Sequence, residues 1–135
     1  MSTEEEKKAS LTDLRNARAG ALRSWKAQSE KLKGYFDKPD KATLYDVETI
    51  LDLCNTATIK YDELTTKILI LVGDENSADF EAESLKNIEI QSNNASLVVR
   101  AKQFRDLKRA KELKEEEASK IAKMHPKFQF KNHQS

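Results

Sequence analysis

The side chains that could carry catalysis are few and lie far apart along the sequence. His125 and His133 are separated by eight positions near the C-terminal end, and Cys54 is the single cysteine. A histidine works as a general acid or base, and a cysteine as a nucleophile, when neighbouring groups tune its pKa. The sequence shows no Cys-His, Ser-His-Asp or HExxH arrangement and no glycine-rich phosphate loop. We therefore expect no catalytic residue, no metal site and no cofactor, and a protein that is not an enzyme.

A dense run of basic residues makes the C-terminal part a candidate for binding an anionic partner. Residues 100–135 carry 11 basic and 5 acidic side chains. Such a run can neutralise the phosphates of RNA or DNA without reading their sequence. Glu112 and Glu115–Glu117 are interleaved with the lysines, so a solvated helix face is the other interpretation. The candidate nucleic-acid-binding residues are Arg100, Arg105, Lys108, Arg109 and Lys111.

The segment after Pro126 offers a second kind of contact. Phe128 and Phe130 alternate with polar residues there, as in an extended segment that docks on a protein partner. A disordered end is the competing interpretation. We expect residues 124–135 to be extended or disordered.

The composition predicts the kind of element that must position these residues. Charged residues make up 35% of the chain, and it has only 3 Gly and 2 Pro, which favours amphipathic helices over sheets. The longest apolar run, Ile68–Val72, is five residues long, whereas a membrane helix needs about 20. The acidic N-terminal start lacks the apolar stretch of a secretory signal, and a single cysteine fits a reducing compartment. We expect a cytoplasmic, non-secreted protein with no membrane partner and no small-molecule substrate.

Helix-breaking residues divide the chain into segments. Loops around Pro39 and Gly73 leave three predicted helices at about 11–36, 43–72 and 77–123. Together they make a predicted helical bundle over residues 10–123, preceded by a disordered N-terminus at residues 1–9.

Regular apolar spacing supports the second and third helices. In the second helix, apolar residues recur at alternating intervals of three and four, with Thr43 as a predicted N-cap and Gly73 as a predicted stop. These apolar residues are Val47, Ile50, Cys54, Ala57, Tyr61, Leu64, Ile68 and Leu71. The third helix repeats the spacing at Leu85, Ile88, Ser92, Ala95 and Val99. This predicts a buried seam, and Leu85, Ile88, Val99, Phe128 and Phe130 are candidate partner-binding residues.

Short connections between helices place successive helices antiparallel. The predicted fold is all-α, an antiparallel three-helix coiled-coil bundle with a long, partly protruding third helix. At 1.5 Å per residue the third helix would reach about 70 Å, against about 40–45 Å for the others. A helical hairpin that completes its core only by dimerising is the alternative.

Charge is unevenly distributed along the chain. Residues 43–99 carry 3 basic and 11 acidic side chains, whereas both flanking regions are net basic. This asymmetry permits complementarity between neighbouring helices and, equally, with an external partner.

The order of these features resembles the N-terminal helical region of Gag-like polyproteins from BEL/Pao-type LTR retrotransposons. The stretch Leu14–Leu22, with Trp25 and Leu32, resembles the Arg-rich opening helix of that family. Lys60–Leu64 with Ile68 resembles its second helix.

The later part of the chain extends the same resemblance. The acidic start with Glu81 or Glu83 resembles the beginning of the family's third helix, and His125–Phe130 is similar to the segment that leads into its capsid-like portion. This chain departs from the pattern in lacking the leucine before Pro126 and any zinc-knuckle, protease or polymerase motif, which implies a fragment or a reduced relative.

The resemblance implies a non-enzymatic role in self-assembly of a Gag-like particle, aided by RNA contacts. The partner would then be a second copy or another helical protein, with RNA as an additional partner. The alternative is a coiled-coil adaptor that binds a helix of a partner protein. Salt dependence separates the two hypotheses, because phosphate contacts weaken with salt and apolar seams do not.

Overall fold

The computed structural model describes residues 3–124, which form three long helices and one short turn of 3-10 helix. They are α1 (Glu4–Asp37), the 3-10 turn (Pro39–Lys41), α2 (Leu44–Val72) and α3 (Ala78–Met124). The chain divides into two compact units, one ending at Ala101 and the other beginning at Lys102. The first unit contains α1, α2 and the first half of α3; the second contains the remainder of α3. The prediction of an all-α, three-helix fold is confirmed.

α1 begins earlier than the sequence predicted. Thr3 is its N-cap: the Thr3 hydroxyl accepts a hydrogen bond from the Glu6 backbone at 3.1 Å, and the Glu6 carboxylate accepts one from the Thr3 backbone. This capping box satisfies two backbone groups that would otherwise be unpaired at the helix end. Residues 4–9, predicted to be disordered, are therefore helical, and the predicted start of the first helix near residue 11 is wrong.

α2 begins and ends where its sequence signals predicted. The Thr43 hydroxyl accepts a hydrogen bond from the Asp46 backbone at 3.1 Å, and the Asp46 carboxylate accepts one from the Thr43 backbone at 3.0 Å. At the other end Gly73 adopts a φ of 78°, a conformation that glycine reaches without steric cost. Its N–H donates to the carbonyl of Leu69 at 2.9 Å.

The core of the first unit contains buried residues of both α1 and α2. From α1 it takes Arg18, Ala21, Trp25 and Leu32, and from α2 it takes Val47, Ile50, Cys54, Ala57, Tyr61 and Ile68, all of them buried. The predicted stripe of α2 is confirmed, although Leu64 and Leu71 are only half-buried. Thr58 and Thr65 are buried in addition.

α3 turns a different face inward from the one predicted. All five predicted seam residues, from Leu85 to Val99, are exposed. The residues it buries are Glu83, Ile90, Asn94, Leu97 and Ala101 in the first unit and Phe104 in the second. The prediction is wrong because apolar side chains of similar size lie on both faces of α3, and the polar residues beside Ile90 and Leu97 have partners on α1 and α2.

Hydrogen bonds between α2 and α3 fix their register. Positions 55, 58 and 62 of α2 bond to positions 94, 91 and 87 of α3, so the numbering falls along one helix as it rises along the other. This is the order expected of successive helices joined by a short loop. Coiled-coil packing and a protruding third helix remain predictions.

Two further predictions concern the membrane and the C-terminal tail. Among residues 3–124, no helix combines the length and the apolar character that crossing a bilayer requires. The predicted tail contacts at Phe128 and Phe130 lie outside the described residues, as do His125 and His133.

Candidate interaction surface

A buried ion pair anchors the start of α3 to α1. The guanidinium of Arg18 contacts the Glu83 carboxylate, and both residues are only 4% exposed. Arg18 also donates a hydrogen bond to the Thr65 hydroxyl at 3.4 Å and lies over the Tyr61 ring, 5.2 Å from its centroid. One arginine on α1 therefore contacts both other helices.

Surrounding cations determine the charge state of Glu83. Burial alone would raise the pKa of this carboxyl, but the hydrogen bond and charge of Arg18 lower it, with help from Lys86 and Arg15. Lys86 Nζ lies 3.6 Å and Arg15 Nε 3.4 Å from the carboxylate. The net result is a pKa below the ordinary value of 4.5, so Glu83 is ionised at neutral pH.

Asn94 joins all three helices at one point. Its Oδ1 accepts a hydrogen bond from Trp25 Nε1 at 3.0 Å, and its Nδ2 donates to Asn55 Oδ1 at 2.8 Å. A buried amide needs such partners, since an unpaired polar group in a core costs about 1–3 kcal/mol. The pairing explains why an asparagine is tolerated inside the bundle.

Two further amides continue this polar contact along α2. Gln91 Nε2 donates to the backbone carbonyl of Thr58 at 2.9 Å, and Asn87 Nδ2 donates to the Asp62 carboxylate at 2.7 Å. Asn87 Oδ1 also accepts from Gln91 Nε2 at 3.1 Å. The inner face of α3 therefore combines a row of polar contacts to α2 with the buried apolar residues Ile90 and Leu97.

The outer face of α3 carries a second set of apolar residues, and these are exposed. Leu85, Ile88 and Val99 are 55%, 59% and 54% exposed. With Ser92 and Ala95 between them, they recur every three or four residues, so they line one face of the helix. We call the five residues from 85 to 99 at this spacing the outer stripe.

An exposed isoleucine of α2 lies beside the outer stripe. Thr58 of α2 and Asn87 of α3 lie in the contact between these two helices. Ile59 follows Thr58 and Ile88 follows Asn87, so each isoleucine is turned about 100° around its helix axis from the contact. Because the two helices run in opposite directions, this rotation brings both side chains to the same side of the pair. Ile59 is 59% exposed and enlarges the apolar surface around Ile88.

The predicted nucleic-acid-binding residues fall in both units. Arg100, in the first unit, lies over the Phe36 ring at 4.8 Å from its centroid. In the second unit, Arg105 Nε lies 3.7 Å from the Asp106 carboxylate, and Lys108 Nζ lies 5.6 Å from the Phe104 centroid. Arg109 and Lys111 are exposed. Arg105 and Lys108 are half-buried.

Cys54 lies in the core of the first unit. It is a free thiol with no exposed surface, and burial raises its pKa to about 11. The protonated thiol is a poor nucleophile. A structural position therefore explains Cys54 without chemistry.

Sequence reasoning missed the polar residues that α3 buries. Glu83, Asn87 and Asn94 share the same alternating spacing as the apolar residues, so periodicity alone does not separate the two faces. The missing signal lies on α1, where Arg18 is buried among apolar residues. A buried arginine requires a carboxylate nearby, and the acidic start of α3 supplies it.

Comparisons with known proteins return no relative. No protein-family model, no curated protein and no solved structure matches the chain.

Proposed function

We propose that this protein is a non-enzymatic helical interaction module that binds a protein helix on the outer stripe of α3. The observation that carries the proposal is that α3 has apolar side chains on two faces: Ile90 and Leu97 are buried in the bundle, whereas Leu85, Ile88 and Val99 are exposed on the outer stripe. Single exposed apolar residues are common on protein surfaces. A row of them at helical spacing is the pattern by which one amphipathic helix recognises another.

The neighbouring surface supports a helix as the partner. Ile59 widens the stripe at Ile88, and Ser92 and Ala95 are small enough to let another backbone approach closely. An elongated apolar strip of this kind suits a partner with residues at i, i+3 and i+7. The resemblance to the opening region of Gag-like polyproteins supports an assembly role for such contacts.

Site-specific photo-cross-linking in cells tests the proposal. A photoreactive benzoylphenylalanine replaces Ile88, and a matched variant carries it at Glu89, which is also exposed but lies off the stripe. We expect irradiation to produce cross-linked protein adducts with the first variant and far fewer with the second. Equal or absent adduct formation at both positions would contradict the proposal.

RNA contact by the second unit is a second proposed function. The observation that favours it is the charge of residues 102–124, which carry 8 basic and 5 acidic side chains on one helix. Exchanging Arg105, Lys108 and Arg109 for glutamate should abolish binding of a short single-stranded RNA while preserving helicity. Wild-type binding should weaken by at least about tenfold between about 0.05 M and 0.3 M salt if phosphates supply the affinity.

Unchanged RNA binding by the triple variant would exclude these three residues as the contact. Salt-insensitive binding by the wild-type protein would argue against phosphate recognition. An Ile88→Lys variant serves as the control, because it alters the outer stripe without removing a basic side chain from the second unit.

A further inference from the structure

We propose that the occupant of the outer stripe is residues 107–121 of a second copy of this chain, docked antiparallel. This inference rests on the proposed function, because it names the partner of the same surface. Three observations on the two units support it: the separation of apolar residues, their exposure, and charge. The symmetry of a dimer then decides the orientation.

The two segments each end in a pair of large apolar residues, and the two pairs have the same separation. Leu85 and Val99 are 14 positions apart on α3, and Leu107 and Ile121 are also 14 positions apart. At 1.5 Å per residue both pairs span about 21 Å. Antiparallel docking therefore brings Leu85 against Ile121 of the second copy and Val99 against Leu107 of the second copy.

The docking segment is helical and exposes its apolar side chains. Leu107 is 73% and Ile121 61% exposed, and every described side chain from residue 109 to residue 123 is exposed. Helices gain most of their stability by packing an amphipathic face against another element. Docking on a second copy would supply that contact to the second unit.

Charge selects a basic partner for the first unit. The first unit, which ends at Ala101, carries 14 basic and 18 acidic side chains, and its acidic excess lies in residues 43–99. Residues 102–124 carry 8 basic and 5 acidic ones. The segment of this chain with exposed apolar residues is thus also the segment of complementary charge. Such complementarity favours encounter between the first unit of one copy and the second unit of another.

The antiparallel orientation lets two chains satisfy both contacts at once, which the parallel orientation does not. In a twofold dimer the same two surfaces are used by both copies, so each stripe receives the other copy's segment. A parallel arrangement would pair Leu85 with Leu107 of the next copy, a head-to-tail contact that continues into a ring or an open chain of subunits rather than a dimer. The antiparallel contact therefore predicts a dimer as the end state.

The mass of the purified full-length chain across a concentration series tests the self-association. Light scattering should show the mass rising from one to two chains, and Ile88→Lys should raise the dimer dissociation constant at least about 100-fold, because a twofold dimer loses two buried isoleucines. Leu107→Lys should have a similar effect from the other side of the contact. Asn93→Lys, exposed on α3 but off the stripe, should leave the constant unchanged, and circular dichroism confirms that each variant is folded.

Disulfide trapping tests the orientation. A mixture of Val99→Cys chains and Leu107→Cys chains should oxidise to mixed dimers faster than either chain alone. The buried Cys54 thiol, with its pKa of about 11, will compete poorly for oxidation. Faster trapping between Leu85→Cys and Leu107→Cys would instead show the parallel arrangement and overturn the proposal.

A wild-type protein that stays monomeric at every concentration would also overturn this inference. The photo-cross-linking at residue 88 then separates the proposal of an interaction module from the proposal that its partner is a second copy. Adducts with a different protein would leave the interaction module standing with another partner, whereas no adduct at all would remove both.

Discussion

The indole nitrogen of Trp25 donates a hydrogen bond to the side-chain oxygen of Asn94 at 3.0 Å, inside the bundle of the first unit. The same asparagine donates to Asn55, so a single side chain links α3 to both other helices. Trp25 is the only tryptophan in the sequence, which makes its fluorescence a direct reporter of this contact.

Asn94→Ala should destabilise the fold by about 1–3 kcal/mol, because it leaves the buried Trp25 N–H without its acceptor. Urea unfolding followed by Trp25 fluorescence measures the change. Asn93→Ala, at the exposed neighbouring position, should change stability by less than about 0.5 kcal/mol. Equal effects of the two substitutions would show that the hydrogen bond contributes nothing measurable.

Glu83→Ala should be more damaging, at about 3–5 kcal/mol, since it leaves the Arg18 charge buried and unpaired. Glu81→Ala removes a carboxylate from an exposed position on the same helix turn and is the matched control. Thermal unfolding by circular dichroism measures both variants. A double variant, Arg18→Met with Glu83→Leu, should recover much of the loss, because no isolated charge remains.

Stability should fall as the pH drops below about 4.5. Glu83 has a lowered pKa in the folded chain, because Arg18 and its neighbours outweigh the effect of burial. In the unfolded chain Glu83 binds a proton near its ordinary pKa of 4.5, whereas in the folded chain it stays ionised to a lower pH. The stabilisation that ionised Glu83 gives to the fold is therefore fully present above pH 4.5 and is lost as the pH falls through the pKa of the folded chain. Unfolding by urea between pH 6 and pH 3 should show a shallower loss for Glu83→Gln than for the wild type. Parallel pH profiles would assign the acid sensitivity to other carboxylates.

Two isoleucines of α2 provide a test of the core with identical chemistry. Ile50→Ala should cost about 2–5 kcal/mol, because Ile50 is buried. Ile59→Ala should be nearly neutral in the monomer, because Ile59 is exposed on the same helix. Free energies of unfolding from denaturant titrations at low protein concentration compare them, and similar values would mean that the burial pattern of α2 is wrong.

Two glycines should respond to alanine in opposite directions. Gly34 lies within α1, and nothing comes within 4 Å of a Cβ added there, so Gly34→Ala should stabilise the fold by about 0.5–1 kcal/mol. Gly73 ends α2 with a φ of 78°, so Gly73→Ala should destabilise it by about 1 kcal/mol. Thermal midpoints that move in the same direction would contradict this assignment.

The sequence predicted α2 well because cap, spacing and stop all agreed there. Thr43, the apolar residues from Val47 to Ile68, and Gly73 each point to the same helix, and the structure has all three in place. The start of α1 was missed because Ser10 and Thr3 both make acceptable caps, and the added turns depend on the pairing between Thr3 and Glu6.

The inner face of α3 could not be predicted from its own sequence. Hydrophobicity does not separate the two faces, because Ile90 and Leu97 lie on the inner one as Leu85 and Ile88 lie on the outer one. The inner face is distinguished by the partners that α1 offers to Glu83 and Asn94, which are Arg18 and Trp25. The candidate surface was identified by its residues but for the wrong reason. Leu85, Ile88 and Val99 were predicted as a seam of the bundle, and their exposure leaves them accessible to a partner.

The polar residues on the inner face of α3 also limit how this helix can shift along its axis against α1 and α2. A shift by one turn would move Glu83 away from Arg18 and would place Ile90 or Leu97 where Asn94 accepts from Trp25. Each buried donor left unpaired would cost about 1–3 kcal/mol, whereas an apolar seam would exchange one aliphatic side chain for another at small cost. Misaligned packings of α3 are therefore penalised at several points at once, and the bundle is restricted to a single alignment.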